Sequence, residues 1–434
     1  MFSGWYAKWM FDWETRLTTR DTNRIVRPLE WGFDWLGDFA AAHVAGAKAP
    51  TNRVAGSAGT EVSAYQVQGS AIALEEEPVA GSALPQDIER MIALNHQIVE
   101  RSSEFFGYAT PTDFRLEQRH PQLFPTNVRP ETLAQDAEMK RAAEAGELEE
   151  AEFLRFTSPV RTPHPENDQV NARWYPAPPE KLEARRKAGQ PLQAIIVMPQ
   201  WNADAISHNA LCTMFNKFGI SALRLSKPYH DIRRPAELER SDFAVSANIG
   251  RTISACRQAV VDVRSCIDWL ETQGYTQFGV LGTSLGSCYA FIAAAHDPRI
   301  RVCAFNHAST WFGDVVWEGQ STRHVRAGFA EAGLTQDQVR EMFVGVSPMA
   351  YMERFAANPK RVLVVHATYD LTFPLHLSLD VLKNFKRTGV DFVSRVLPCG
   401  HYITGETPYK YLDGWYLGSF VYDAFKRLRE EIAG

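Results

Sequence analysis

Residues 277–297, QFGVLGTSLGSCYAFIAAAHD, constrain this chain more than any other stretch. They read as a short apolar strand, a sharp turn bracketed by glycine, and a helix of small residues. At the turn sits Gly282-Thr283-Ser284-Leu285-Gly286, a G-x-S-x-G nucleophile elbow. A serine hydroxyl is a weak nucleophile unless a tight turn presents it to a base. Glycines two before and two after the serine leave room where strand and helix backbones crowd together. A helix beginning just after the serine adds free N–H groups and the positive end of its dipole. The competing reading of the pentapeptide alone is a glycine-rich strand-to-helix connection without chemistry.

The surrounding pattern decides what kind of sheet carries this turn. Residues 194–198 (AIIVM), 220–225, 278–281, 300–305, 361–365 (RVLVV) and 391–397 are apolar strand-like runs separated by helical stretches. Residues 194–198 are apolar throughout, as in a parallel strand covered on both faces. Residues 245–272 step their apolar positions by three and four, the mark of a long helix. A hairpin over 153–163 and 171–176 precedes this series, turning near 165–168. The alternation predicts an α/β protein: a mostly parallel sheet with helices on both faces. Residues 311–355 interrupt it with helix-like segments and are expected to form a small helical cap. The final helix runs over about 417–432.

Residues 1–152 form a different region, expected to be mainly helical and joined to an α/β unit over 153–434. Phe2, Trp5, Tyr6, Trp9, Trp13 and Leu17 recur at helical spacing on one face. That face either docks on the body of the protein or a second subunit, or makes peripheral contact with a membrane interface. Asp12, Glu14, Asp21 and Glu30 weaken any attraction to anionic lipid. Residues 46–81, rich in Ala, Gly, Ser, Val and Pro, read as a mobile loop. A helix is expected over 85–106 and a charged one over 131–154.

Composition excludes some functions. A net charge of −5 over 434 residues, with no basic run, argues against nucleic acid as partner. The six cysteines are scattered without C-x-x-C, which suits buried reduced thiols and neither a disulfide framework nor a metal site. No signal peptide or bilayer-length apolar run stands out, so the expected location is the cytoplasm.

In an open α/β sheet, ligands bind beyond the carboxyl ends of the strands. Ser284 lies there. So does Asp370, in HATYDLTFP after RVLVV, and so does His401, in PCGHY after the strand ending at Leu397. Asp370 alone is compatible with a simple turn former and His401 with a loop histidine, but three strand ends coincide. His401 would take the Ser284 proton and return it to the leaving group, while Asp370 holds the imidazole tautomer. Asp314 and Glu318 are the alternative acids. Tyr229, His230, Arg233 and Arg234, after the strand 220–225, either hold a carboxylate or phosphate of the substrate or pin their loop to the cap.

GTSLGS after VL, YDLTFP after RVLVVHA, and the terminal CGH, in that order, resemble the α/β-hydrolase superfamily over about residues 153–434. More narrowly, LSKPYHDIRRP at 225–235 resembles the α/β-hydrolase-domain-containing protein 18-like branch. The resemblance implies the α/β-hydrolase fold and an oxyanion hole of two backbone N–H groups. One belongs to Leu285, the residue after the nucleophile. The other comes from Trp201 or a neighbour, although Pro199-Gln200 stands where the family usually has His-Gly; Trp201 alternatively walls the acyl pocket. The expected activity is cleavage of a small-molecule or lipid carboxylic ester through an acyl-enzyme, without metal or organic cofactor. A small serine peptidase and a non-catalytic scaffold of the same fold are the rival readings.

Overall fold

The structure is a computed structural model that describes residues 2–39 and 85–433. The stretch 46–81 that composition marks as a loop lies outside the described residues. Nine strands form one sheet: β1 (Arg115–Arg119), β2 (Ala151–Thr157), β3 (Gln169–Tyr175), β4 (Leu192–Met198), β5 (Ser221–Ser226), β6 (Tyr275–Thr283), β7 (Ile300–Asn306), β8 (Arg361–Ala367) and β9 (Phe392–Leu397). Their order across the sheet is β1-β2-β3-β5-β4-β6-β7-β8-β9. β1 to β3 pair antiparallel, and β3 is antiparallel to β5. From β5 to β9 every pairing is parallel. This is the α/β-hydrolase fold with an added strand, β1, on the antiparallel edge.

Burial on both faces explains the continuous apolar runs. Along β4, Ala194, Ile196 and Met198 enter one core layer while Ile195 and Val197 enter the other. The first layer is closed by α2 (Ile249–Thr272) and α3 (Leu285–His296), the second by α4 (Asn209–Lys217) and the long C-terminal helix α5 (Tyr409–Ala433). Asn248 starts α2 by accepting the Arg251 N–H at 2.9 Å, which satisfies one of the amides a helix start leaves open. The insertion between β7 and β8 is helical (Phe312–Glu318, Arg323–Glu331, Gln336–Met342, Met352–Ala356), as the cap reading expects.

The N-terminal region is built into this body. Helix α1 (Phe2–Thr19) buries Met10, Glu14 and Thr18 and leaves Trp5, Trp9 and Phe11 exposed. Met10 joins the core layer that contains α5. Further on, Glu30 bridges Asn248 at the start of α2. Gly32 lies so close that a Cβ on Gly250 would fall 1.8 Å from the Gly32 carbonyl oxygen. The expected division at residue 153 falls inside β2, which pairs with β1 from the N-terminal side. Likewise the charged helix ends at Glu144, and Ala151 already belongs to a strand. β1, sequence RLEQR, is charged because it is an exposed edge, and it carries no apolar alternation to read.

Among the described residues no helix is long and apolar enough to cross a membrane. All six cysteines are free and buried.

Gly250→Ala should lower the unfolding free energy by about 2 kcal/mol or more, since backbone on both sides must move. Urea denaturation measures this; an unchanged midpoint would show that the 30–36 segment is not held against α2.

Candidate active site

The elbow follows from close approach of three backbones. A Cβ on Gly282 would lie 2.2 Å from the Gly286 oxygen, and one on Gly286 would lie 2.2 Å from the Met198 oxygen at the end of β4. Only glycine fits at either place. Ser284, between them, adopts φ 56° and ψ −120°, a conformation that L residues rarely occupy. Its N–H donates to the Asn306 carbonyl at 2.8 Å, which ties the turn to the end of β7. Leu285 opens α3, so its N–H belongs to the helix start that has no intrahelical acceptor.

Asp370 follows β8 in a turn that serves its carboxylate. Oδ1 accepts the N–H groups of Thr372 at 2.8 Å and Phe373 at 2.6 Å. Oδ2 accepts Nδ1 of His401 at 2.8 Å and Nδ1 of His307 at 3.0 Å. Burial works to raise this carboxyl. The charge on His401, with hydrogen bonds from both histidines, outweighs burial and holds it well below the usual carboxylate range. With Nδ1–H of His401 directed at Asp370, Nε2 is the nitrogen left for a substrate-side proton. Phe373 stacks on the His401 ring at 5.3 Å between centroids.

Ser284, Leu285, Trp201, His307, Phe373 and His401 line one cavity of about 1020 Å³, with Phe312 and Val315 of the cap above them. Trp201 is fixed there by its indole N–H, which donates to the Ser241 carbonyl at 2.9 Å, and by the parallel ring of His324, 5.8 Å away on the cap.

His307 is the partner that sequence reasoning missed. It directly follows β7, at φ 57°, with its N–H on the Val365 carbonyl at 2.8 Å. Its ring lies 4.3 Å from that of His401. The signal that singled out Asp370 and His401, a polar residue at a strand's carboxyl end, applies equally to Asn306-His307. Among the described residues, His307, Asp370 and His401 are also the one group with metal-ligand proximity, their ligand atoms lying within 4.8 Å of one another. Both Nδ1 atoms are engaged by Asp370.

The other expected residues lie elsewhere. Asp314 is paired to Arg340 at 2.9 Å, and Gln336 bonds both Asp314 and Glu318. Tyr229, His230, Arg233 and Arg234 are not among the residues that line the cavity, and their contacts run within the protein. Arg233 is buried, pairs with Asp262 on α2 at 2.9 Å and donates to the carbonyls of Asn167 and Ser226. Arg234 reaches the Phe124 carbonyl at 3.5 Å, and the Tyr229 N–H donates to Asn167 Oδ1 at 2.8 Å. These contacts tie the loop after β5 to the turn before β3, to the end of β5 and to α2. His230 ties it to the cavity wall: Nδ1 bonds the Pro228 carbonyl at 2.8 Å and Nε2 accepts the Asn202 N–H at 3.2 Å. Burial, with Lys227 and Arg224 nearby, pushes its pKa well below the usual value, consistent with that neutral tautomer.

The sheet order and the elbow define the class, the α/β-hydrolase fold. Within it, residues 256–411, which include Ser284, Asp370 and His401, match the model of the prolyl oligopeptidase family. An uncharacterised 31.7 kDa protein of Escherichia coli, from the traX-finO intergenic region, is 34% identical over 142 residues, or 31% of this chain and 49% of that one. The chain thus spans about half the length of the curated relatives it matches. Among solved structures, acylaminoacyl peptidase of Pyrococcus horikoshii is similar at TM-score 0.46 and 12% identity, covering 62% of this chain and 40% of that one. Acetyl xylan esterase 1 of Thermoanaerobacterium sp. JW/SL YS485 is similar at TM-score 0.48 and 14% identity, covering 78% and 96%.

Asp413, at the start of α5, accepts Asn306 Nδ2 at 2.9 Å, and burial pushes its carboxyl up to about 6. Between pH 4 and 6 the folded chain therefore holds a proton that the unfolded chain has released. The stability this lends is lost as pH rises through 6. Asp413→Asn should flatten that window and raise stability at pH 7.5 by on the order of 1–2 kcal/mol. Urea midpoints across pH 4.5–7.5 read the change; a parallel loss at every pH would contradict it.

Proposed function

We propose that this chain is a serine hydrolase that cleaves a carboxylic ester through an acyl-enzyme formed on Ser284, with His401 as general base and acid and Asp370 as its orienting partner. The observation that carries the reading is the His401–Asp370 hydrogen bond at 2.8 Å, with His401 and a strained Ser284 lining the same cavity. The match of residues 256–411 to the prolyl oligopeptidase family supports a hydrolase of this type.

The steps follow from the chemistry of these groups. His401 Nε2 takes the hydroxyl proton as Ser284 Oγ attacks the substrate carbonyl. The developing oxyanion meets the Leu285 N–H at the positive end of α3. In the loop after β4 the N–H groups of Gln200 and Trp201 are the candidates for second donor. Pro199 has no N–H, and those of Asn202 and Ala203 are committed to His230 and the Gln200 carbonyl. His401 then protonates the leaving alcohol, and water hydrolyses the acyl-enzyme by the same route reversed. A Trp201 wall and an apolar cap favour an ester with a hydrophobic acyl group. Tyr411 and Trp415, exposed on α5 and lining the cavity, favour a lipid-like substrate presented at an interface, with Trp5 and Trp9 of α1 as a further exposed aromatic face. A small peptidase is the second reading, favoured by the same family match. The narrower likeness of residues 225–235 to the α/β-hydrolase-domain-containing protein 18-like branch is part of this proposal, as is a cytoplasmic location.

Wild-type protein should react with a fluorophosphonate and hydrolyse p-nitrophenyl esters, with Ser284→Ala unreactive and at least about 10³-fold slower. EDTA should leave the rate unchanged. Folded wild type that neither labels nor turns over would end the enzyme reading, and faster cleavage of peptide anilides than of any ester would select the peptidase. For the interface, Trp5→Ala/Trp9→Ala should halve liposome co-sedimentation or more; equal binding removes that element.

A further inference from the structure

We propose that Glu14, on the N-terminal helix α1, is a positioning residue for His401, so that docking of α1 completes the candidate site. This rests on the hydrolase reading above. Glu14 is fully buried and reaches across to the loop that carries His401. Its two oxygens accept the Tyr402 N–H at 2.9 and 3.1 Å, and Oε2 also accepts the Ile403 N–H at 3.2 Å. On the other side of the histidine, Gly400 is what lets the carboxylate in: a Cβ there would fall 2.3 Å from Glu14 Oε2. Backbone on both flanks of His401 is thus shaped around one side chain. His401 is gripped twice, by Asp370 at its ring and by Glu14 through its main chain.

The rest of α1 holds Glu14 in register. Tyr6 donates to the Pro398 carbonyl at 2.5 Å, just ahead of the same loop, and meets the Tyr409 hydroxyl at 2.9 Å. Phe11 and Tyr6 pack edge-on against Tyr369, the neighbour of Asp370. Thr18 donates to Gln320 Oε1 at 2.6 Å. Helix α1 therefore touches the acid loop, the histidine loop and the cap together. A buried carboxylate whose contacts are backbone amides beside a reacting residue fixes geometry more than it adds stability.

The groups facing Glu14 are Asp370 after β8, His307 directly after β7 and Cys399 ahead of the histidine. Burial pushes its carboxyl up to about 7; Asp370 adds to this, while the two backbone hydrogen bonds and His307 oppose it. Three amide contacts on two oxygens suit the ionised form, since a carboxyl O–H would face an N–H. Ionisation of Glu14 should therefore sharpen the site as pH rises through 7.

The test uses the full-length protein with Glu14→Gln, which is isosteric, and Glu14→Ala. Ester hydrolysis should fall about 10-fold or more in kcat for Glu14→Ala with KM within about threefold, and fluorophosphonate labelling should slow in proportion. Glu14→Gln, which keeps one acceptor, should recover part of the loss. In wild type, log kcat/KM should rise with pH at a slope above one on the acid side, because two ionisations contribute; in Glu14→Gln the slope should fall to one. Met10→Ala, a packing change on the same helix, should lower the melting temperature yet keep the steeper limb. Independently of turnover, hydrogen exchange in a peptide covering 399–406 should speed up in both Glu14 variants. Unchanged exchange in Glu14→Ala, or a Glu14→Ala kcat within twofold of wild type, overturns the proposal. If wild type neither labels nor turns over, the hydrolase reading fails, and exchange alone decides whether Glu14 holds the loop.

Discussion

One carboxylate, Asp370, organises the polar end of the sheet. It receives four donors: two amides of its own turn, the ring of His401 and the ring of His307. They come from three pieces of chain, the acid's own turn after β8, the loop after β9 and the residue that follows β7. A buried anion is stable only when its lone pairs are filled, so those pieces cannot drift independently. Orientation of His401, and through it the proposed attack by Ser284, is a by-product of solving that burial problem.

The apolar side of the site obeys a different constraint, the approach of backbone to backbone. Gly282, Gly286 and the Met198 carbonyl occupy space in which no Cβ fits. Ser284 is pushed into its rare backbone conformation by this crowding and held by the Asn306 carbonyl. Directional hydrogen bonds on one flank and steric exclusion on the other give the serine a single presentation. Trp201, fixed by Ser241 and His324, closes the wall between them.

Much of this was legible in the sequence, because parallel strands buried on both faces announce themselves as apolar runs and their carboxyl ends mark where chemistry can sit. The mostly parallel sheet, the helical insertion between β7 and β8 and the placement of Ser284, Asp370 and His401 beyond strand ends follow from that reasoning. Three things did not. β1 was unreadable because an exposed edge strand has no apolar face to alternate. Glu14 reads only as a charge that weakens attraction to anionic lipid, since periodicity reports which side of a helix is apolar and says nothing of a distant loop's bare amides. His307 carried a strand-end signal, but a second imidazole on one acid is a contact that only three dimensions reveal. The arginines after β5 left two readings open, because guanidinium groups that suit an anionic ligand suit buried carbonyls and Asp262 equally well.

The contacts of α1 bear on how the chain is made as well as how it works. Glu14 and Tyr402 are separated by 388 residues, and Tyr6 and Pro398 by 392. During synthesis the first helix leaves the ribosome long before its acceptors exist, with Met10 and its aromatic residues uncovered. Non-local closure of this kind is slow and leaves apolar surface open while it waits. The histidine loop can reach its final shape only after the whole sheet is present, so the ability to react would arrive as the last event of folding. On the proposed mechanism, a nascent or half-folded chain would carry Ser284 without its base, a form of built-in latency.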